Sequence, residues 1–400
     1  MLFKILSLDG GGTWALIEVM ALQAIYGPSA KGHSILRRFD LVTANSGGSI
    51  VVAAMVADMA LDDILKFFLD DDKREEIFVR VPLLCWLNPV RVIVGGPKYV
   101  TTAKLDGLAS LLGPMCTSLK LPSVPAMVGP NYQGKNVHFL IPAFDYDRKR
   151  HIFFRSNLGS LASNFPRLVV TPSDAVTIVQ AVHASSTAPV KFFDEPADFS
   201  NHRYWDGGVA GYNNPVFAGV VEALANNVPT KEIMAFSLGT GTLYRPLDGR
   251  VVDDILLQTK NDPSISGDLG ILAQSILDDP PDTAIFEAHV VLGQPLPSIG
   301  GVCISDGSVI RLSPLIQPIR NNPGSPWDFP KGFDQQSFGQ LARLGMDALE
   351  PDDVHLIQAF AKAWTNGDIR NQPIRTNQNL ECEIGHSDFR AAAKLMQSRT

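Results

Sequence analysis

The 400-residue chain carries 45% hydrophobic and 19% charged residues, enough apolar material for a sizeable core. Its formal net charge is -7 and no basic stripe stands out, which argues against nucleic-acid binding and gives no general attraction to an anionic membrane. The four cysteines (Cys85, Cys116, Cys303 and Cys382) are far apart and form no C-x-x-C pair, which argues against a zinc site or a disulfide framework.

Residues 3–8 read as a buried strand, followed by a glycine-rich turn and a helix over 15–25. Residues 39–43 read as a second buried strand, and after another sharp turn 50–59 reads as a mostly apolar helix. Strand, glycine turn, helix, repeated, predicts an α/β protein with a largely parallel sheet. The stretch 61–76 is helix-like and carries the acidic run Asp70-Asp71-Asp72, read as a solvated helix end rather than a metal site. Residues 77–94 are strongly apolar but broken by Pro82 and Pro89; they suit either a covered insertion or a lipid-facing lid built on Leu83, Trp86 and Leu87. The α/β pattern resumes with a strand over 136–143, a polar hairpin turn over 145–150 and a strand from His151. A helix is expected over 174–183, with Asp174 near its start, then a strand-to-glycine turn at 204–208 and a strand over 231–238 ending in Gly239-Thr240-Gly241. Beyond lie helices over 269–277 and 283–290, a short strand at 309–312, a loop at 321–326, and helices over 338–346 and 353–364. No internal repeat is visible. The simplest organisation is one elaborated α/β domain over 1–365, with about 61–134 as a helical and apolar insertion or cap and 366–400 as a polar, loose tail. No signal peptide and no apolar run of roughly 18 residues is seen, so the expected location is cytoplasmic or peripheral to a membrane.

Three motifs carry chemistry. Asp9-Gly10-Gly11-Gly12 follows a strand and precedes a helix, so its amides can point at a negative oxygen, either a phosphate or the oxyanion of acyl transfer. It is neither a P-loop nor a dinucleotide fingerprint. Ala44-Asn45-Ser46-Gly47-Gly48 has the setting of a nucleophile elbow, G-x-S-x-G, with Ala44 for the first glycine and Gly48 keeping the second. Asp206-Gly207-Gly208 follows Tyr204-Trp205, its glycines allowing a tight turn that presents the carboxylate. Singly, each motif reads as well as a plain turn or a helix cap. Together, at predicted strand ends, they supply amide donors, a hydroxyl and a carboxylate, the parts of an acyl-transfer site.

The combination resembles the patatin-like phospholipases, whose dyad is a serine in an elbow and an aspartate in a D-G-G turn. Asn213-Asn214-Pro215, residues 184–189 and Ser237-Leu238-Gly239-Thr240-Gly241 match further stretches of that pattern in order. The resemblance implies a three-layer α/β/α fold with helices on both faces of the sheet. It implies Ser46 as nucleophile, Asp206 as its base, Gly10, Gly11 and Gly12 as the oxyanion hole, and Gly48, Gly207 and Gly208 as supporting turn residues. The implied reaction is cleavage of a phospholipid or other lipid ester through an acyl-enzyme, with transient membrane-surface contact and neither cofactor nor metal. The sequence departs from the family where Trp14 and Ala15 stand in place of a basic residue and glycine after the glycines. Two alternatives stay open. One is a Ser-His-Asp hydrolase using a late histidine (His289, His355 or His386). The other is an activator-gated or catalytically silent effector on the same fold. His183, on the helix before Ser185, reads as a packed residue. The sequence identifies neither an activator nor an oligomeric state.

Overall fold

The structure is a computed structural model describing residues 2–82, 97–156, 176–243, 280–294, 307–316, 329–372, 374–377 and 382–400. The expected lid residues Leu83, Trp86 and Leu87, Asp174, the helix at 269–277 and the loop at 321–326 lie outside these residues.

Strands β1 (Phe3–Leu8), β2 (Leu41–Ala44), β3 (His138–Asp145), β4 (Arg150–Arg155), β5 (Ala197–Phe199), β6 (His202–Asp206), β7 (Ile233–Leu238) and β9 (Val309–Leu312) form the central sheet. Its order is β5-β6-β3-β2-β1-β7-β9, with β4 also paired to β3. Neighbours from β3 through β9 run parallel, while β4 and β6 run antiparallel to β3, and β5 to β6. The sheet is therefore mostly parallel, as its apolar strands predict.

Period-two alternation assigns the faces. Leu6 and Leu8 of β1, with Met234, Phe236 and Leu238 of β7, join one apolar cluster with the helices Leu16–Tyr26, Ser46–Val56 and Pro351–Thr365. Ile5, Ile233 and Ala235 face a second cluster with the helices Val216–Ala225 and Pro280–Val291. Helices thus cover both faces, giving the expected three layers. Every residue of Ser46–Val56 is buried, which explains why this helix is apolar all round.

Four elements differ in detail from their sequence reading. The helix expected over 61–76 is two helices, Leu61–Leu69 and Asp71–Ile77, because the Asp70 carboxylate accepts the Lys73 N–H and starts the second. The acidic run is therefore a helix cap. The helix expected at 174–183 runs Ile178–Ser185, opened by a capping box between Thr177 and Gln180. The helix expected at 338–346 ends at Leu341. Within the stretch read as a loose tail, the described residues form regular structure: β11 (Arg375–Asn377) pairs with β12 (Cys382–Ile384), and the helix Phe389–Arg399 packs on the core, the Phe389 ring centre lying 4.6 Å from that of Trp364. Two short strands, β8 (Thr242–Leu243) and β10 (Leu315–Ile316), pair in parallel beside the sheet.

Asn371 ties this C-terminal part to the sheet. Its Nδ2 donates to the carbonyls of Arg311 and His386, both at 2.8 Å, and its Oδ1 accepts the Ser313 N–H at 3.0 Å and the Trp364 indole at 3.2 Å. Removing a buried partner leaves the others desolvated and unpaired. We expect Asn371→Ala to lower stability by about 2–3 kcal/mol in urea unfolding; an unchanged midpoint would mean that the C-terminal part is held elsewhere.

Candidate active site

Ser46 is the first residue of its helix, directly after β2 and Asn45. Its φ is 46°, a left-handed backbone that few non-glycine residues adopt. The sharp turn needs a close backbone approach two residues on: a Cβ at Gly48 would sit 2.5 Å from the Asp9 carbonyl, to which the Gly48 N–H donates. The sequence requirement for a small residue at that place thus has a direct steric cause.

The register of the sheet brings Asp206 level with Ser46. Thr43 pairs with Leu140 and Ala143 pairs with Asp206, so the turn leaving β2 meets the end of β6. The sequence reading placed Asp206 at a strand end in a largely parallel sheet. Asp206 instead arrives on an antiparallel strand.

Its carboxylate is buried. Oδ1 accepts the Gly208 N–H at 2.8 Å and Asn45 Nδ2 at 3.0 Å, and the Asp206 N–H donates to the Thr187 carbonyl. Burial pushes the Asp206 pKa above its ordinary value. The Ser46 hydroxyl, the Gly208 N–H, Asn45 and the charge of Lys104 pull it back. Among the described residues the other oxygen, Oδ2, is buried without a hydrogen-bond partner, and the Ser46 hydroxyl is the dyad group acting on the carboxylate's ionisation. A relay fixes the elbow to the aspartate: Ser185 Oγ accepts the Ser46 N–H and donates to Asn45 Oδ1, while Asn45 Nδ2 reaches Asp206. Asn45 and Ser185 sat inside motifs visible in the sequence, but nothing there revealed their bonding.

The three glycines of the first loop are not equivalent. The Gly10 N–H donates to the Asn213 carbonyl at 2.7 Å. Gly12, at φ 58°, lines the pocket beside Ser46, and among the described residues neither its N–H nor that of Gly11 has an acceptor. Gly47 also lines the pocket, and its amide lies in the first helical turn, which leaves N–H groups without intrahelical partners. Gly207 packs against Asn45 and the Pro142 carbonyl, and the N–H of Gly208 holds Asp206.

Behind the loop, Arg311 Nη2 donates to Asp9 Oδ2 at 2.6 Å, and the Asp9 N–H donates to Glu18 Oε1 at 2.7 Å. Burial raises the Asp9 pKa to about 6 against the opposing pull of Arg311; burial and the neighbouring Asp9 raise Glu18 well above the usual range.

The pocket over Ser46 is narrow, about 20 Å³, with room for little more than one water. Gly12, Ser46, Lys104, Phe78, Phe193 and Met346 line it. A chain segment, 345–350, closes one side. The Met346 carbonyl accepts the Thr13 N–H, and a Cβ on Gly12 would lie 2.2 Å from that oxygen. Trp14 is buried and its indole donates to the Gly345 carbonyl at 3.0 Å. Asp347 accepts from Lys98 Nζ at 2.6 Å and the Tyr99 hydroxyl at 2.8 Å.

Among the described residues no histidine lines the pocket. His183 is buried, and burial with the Lys104 charge drives its pKa well below the usual imidazole value. Asp145, Asp147 and His202 bring possible metal-ligand atoms within 4.8 Å of one another, the one such cluster among the described residues. There Asp145 is bonded to Arg148 and Asp147 to Arg203.

Solved structures similar to the chain include VipD from Legionella pneumophila, at 12% identity and a TM-score of 0.34, covering 99% of this chain and 74% of that one. Human GIVD cytosolic phospholipase A2 is 16% identical with a TM-score of 0.22, covering 39% of this chain and 22% of that one. The type III effector protein ExoU is 12% identical with a TM-score of 0.27, covering 70% and 53%. Among curated proteins none matches the sequence. The family described as patatin-like phospholipase matches residues 6–220, a stretch that contains the glycine loop, the Ser46 elbow and the Asp206 turn. On that match, over more than half of its length, the chain belongs to the patatin-like phospholipase family.

Proposed function

We propose that the protein is a serine lipid acyl hydrolase in which Ser46 is the nucleophile and Asp206 its base. Family membership supports a lipid hydrolase. The observation that carries the finer reading is a serine at φ 46° whose backbone is tied to a buried aspartate through Ser185 and Asn45. A strained backbone at a polar site is a hallmark of function, because it persists only where the surroundings impose it.

In the proposed cycle Asp206 takes the Ser46 proton as Oγ attacks the ester carbonyl. The oxyanion forms against the free amides of Gly11, Gly12 and Gly47, each such donor being worth about 10²–10³ in rate. The leaving alcohol takes the proton from Asp206. Water then attacks the acyl-enzyme, with Asp206 accepting its proton and Ser46 regaining one. Gly10 supports this loop through Asn213 rather than donating to the substrate. The substrate is a phospholipid or another lipid ester, met at a membrane surface. Among the described residues, no helix is long and apolar enough to cross a membrane.

A second reading, in which the enzyme is gated by an activator, is favoured by one observation: the 20 Å³ pocket cannot hold an acyl chain until segment 345–350 or the aromatic wall moves. Both readings use the same dyad. Turnover of short-chain esters by the isolated protein supports the first; turnover only after a partner is added supports the second.

Ser46→Ala and Asp206→Asn should each lower ester hydrolysis by about 10³-fold or more while melting as wild type. Full esterase activity in Asp206→Asn would remove its assigned role. The base works only when ionised, and burial raises its pKa, so the acid limb of kcat/KM should lie above the ordinary carboxylate range, activity falling as pH drops through it. Met346→Ala should raise activity on longer-chain p-nitrophenyl esters relative to acetate by roughly tenfold, the effect of a few methylenes gained in an apolar pocket. An unchanged chain-length profile would show that Met346 does not limit the pocket.

A further inference from the structure

Lys104 is the one charged side chain that lines the pocket among the described residues. It comes from the helix Thr101–Ser118, far in sequence from every motif of the site. Only 1% of it is exposed, a placement that costs several kcal/mol for an ammonium without compensation. Compensation is visible on three sides. Nζ donates to the His183 carbonyl at 3.0 Å and to Thr187 Oγ1 at 2.7 Å, and it lies 4.5 Å from the centre of the Phe193 ring. The Thr187 hydroxyl donates in turn to the His183 carbonyl at 2.6 Å, leaving its lone pairs for the lysine. The same Thr187 accepts the Asp206 N–H through its carbonyl. One residue therefore links the ammonium to the backbone of the proposed base.

The groups that act on Asp206 divide clearly by charge. Ser46, Asn45 and the Gly208 N–H are neutral donors, and His183, beside the ammonium, is held neutral. Among the described residues Lys104 is the only cation acting on the carboxylate, and it favours the ionised form. The family loop that would bring a basic residue to this end of the sheet instead carries Trp14, whose indole is bonded to Gly345.

We propose that Lys104 is a positioning residue for the reaction: its buried ammonium, held by His183 and Thr187, favours the carboxylate form of Asp206 and, through Thr187, fixes its strand end beside Ser46. This rests on the dyad reading above. Lys104 moves no proton of the substrate; its charge opposes the desolvation that disfavours the ionised Asp206. Burial drives the pKa of Lys104 itself well below the usual lysine value, and the charge of Asp206 opposes that fall, so the ammonium depends on the ionised carboxylate as well as on its carbonyl, hydroxyl and ring partners.

The test is the pH dependence of fluorophosphonate labelling in the full chain, with Ser46→Ala as the control for the site labelled. Wild-type labelling at Ser46 establishes the nucleophile; its absence would sink the dyad reading itself, before Lys104 is at issue. Given that labelling, Lys104→Met should shift the acid limb upward by about one pH unit, a tenfold slower reaction on that limb, with the high-pH plateau largely kept. Lys104→Arg, which keeps the charge, should restore the wild-type limb. Thr187→Val, which removes one acceptor of the ammonium but not the carbonyl that holds Asp206, should shift the limb the same way by less. It remains informative if Lys104→Met does not fold. A folded Lys104→Met with the wild-type acid limb, or a folded Thr187→Val with that limb unmoved where Lys104→Met cannot be obtained, overturns the proposal.

Discussion

A serine forced into a left-handed backbone between a buried strand and a buried helix is the constraint around which the molecule is arranged. A non-glycine residue held there costs about 1–3 kcal/mol, so it needs surroundings that permit no alternative. They are supplied from several directions. Gly48 rests against Asp9 and Gly47 against Gly12, and Ser185 fixes the Ser46 amide. The helix that follows is buried at every position, so the turn cannot relax by swinging outward. The result is a hydroxyl at a helix N-terminus, where negative charge is favoured.

Desolvation bears on the chemistry proposed. A carboxylate near pKa 3.9 is a poor base at neutral pH, and burial raises the pKa of Asp206 toward the role proposed for it. Left unopposed, the same burial would disfavour its ionised form. Neutral donors and one lysine oppose it. A second buried ionic group, Asp9 with Glu18 and Arg311, lies behind the glycine loop and holds its first residue in place. The first carboxylate is the proposed base, whereas the second is bonded into the support of the loop.

Segment 345–350 gives a physical account of the departure at Trp14. Tryptophan is bulky, apolar and has one donor, and here that donor is bonded to Gly345 while the Met346 carbonyl rests on Gly12. The loop residue and the segment closing the pocket are thus one packed unit, anchored at its far side by Asp347 to Lys98 and Tyr99.

The sequence alone determined the largely parallel sheet and the three motifs, because each is a local pattern: buried apolar runs alternating with helices, and glycines where the chain must turn tightly or touch backbone; the two covered faces came by resemblance. It placed Ser46 and Asp206 together only by resemblance, since 160 positions separate them (206 against 46) and no periodicity spans that distance. Tertiary structure decided the rest. The antiparallel entry of β6 set Asp206 level with Ser46, and Asp70 broke one expected helix in two by capping the second. Asn371 turned a polar stretch into part of the core by meeting four backbone and side-chain partners. Lys104 carries no local signal at all: a lone lysine on a helix reads as solvated until packing removes the water around it, and only the folded chain supplies the carbonyl, hydroxyl and ring that take water's place.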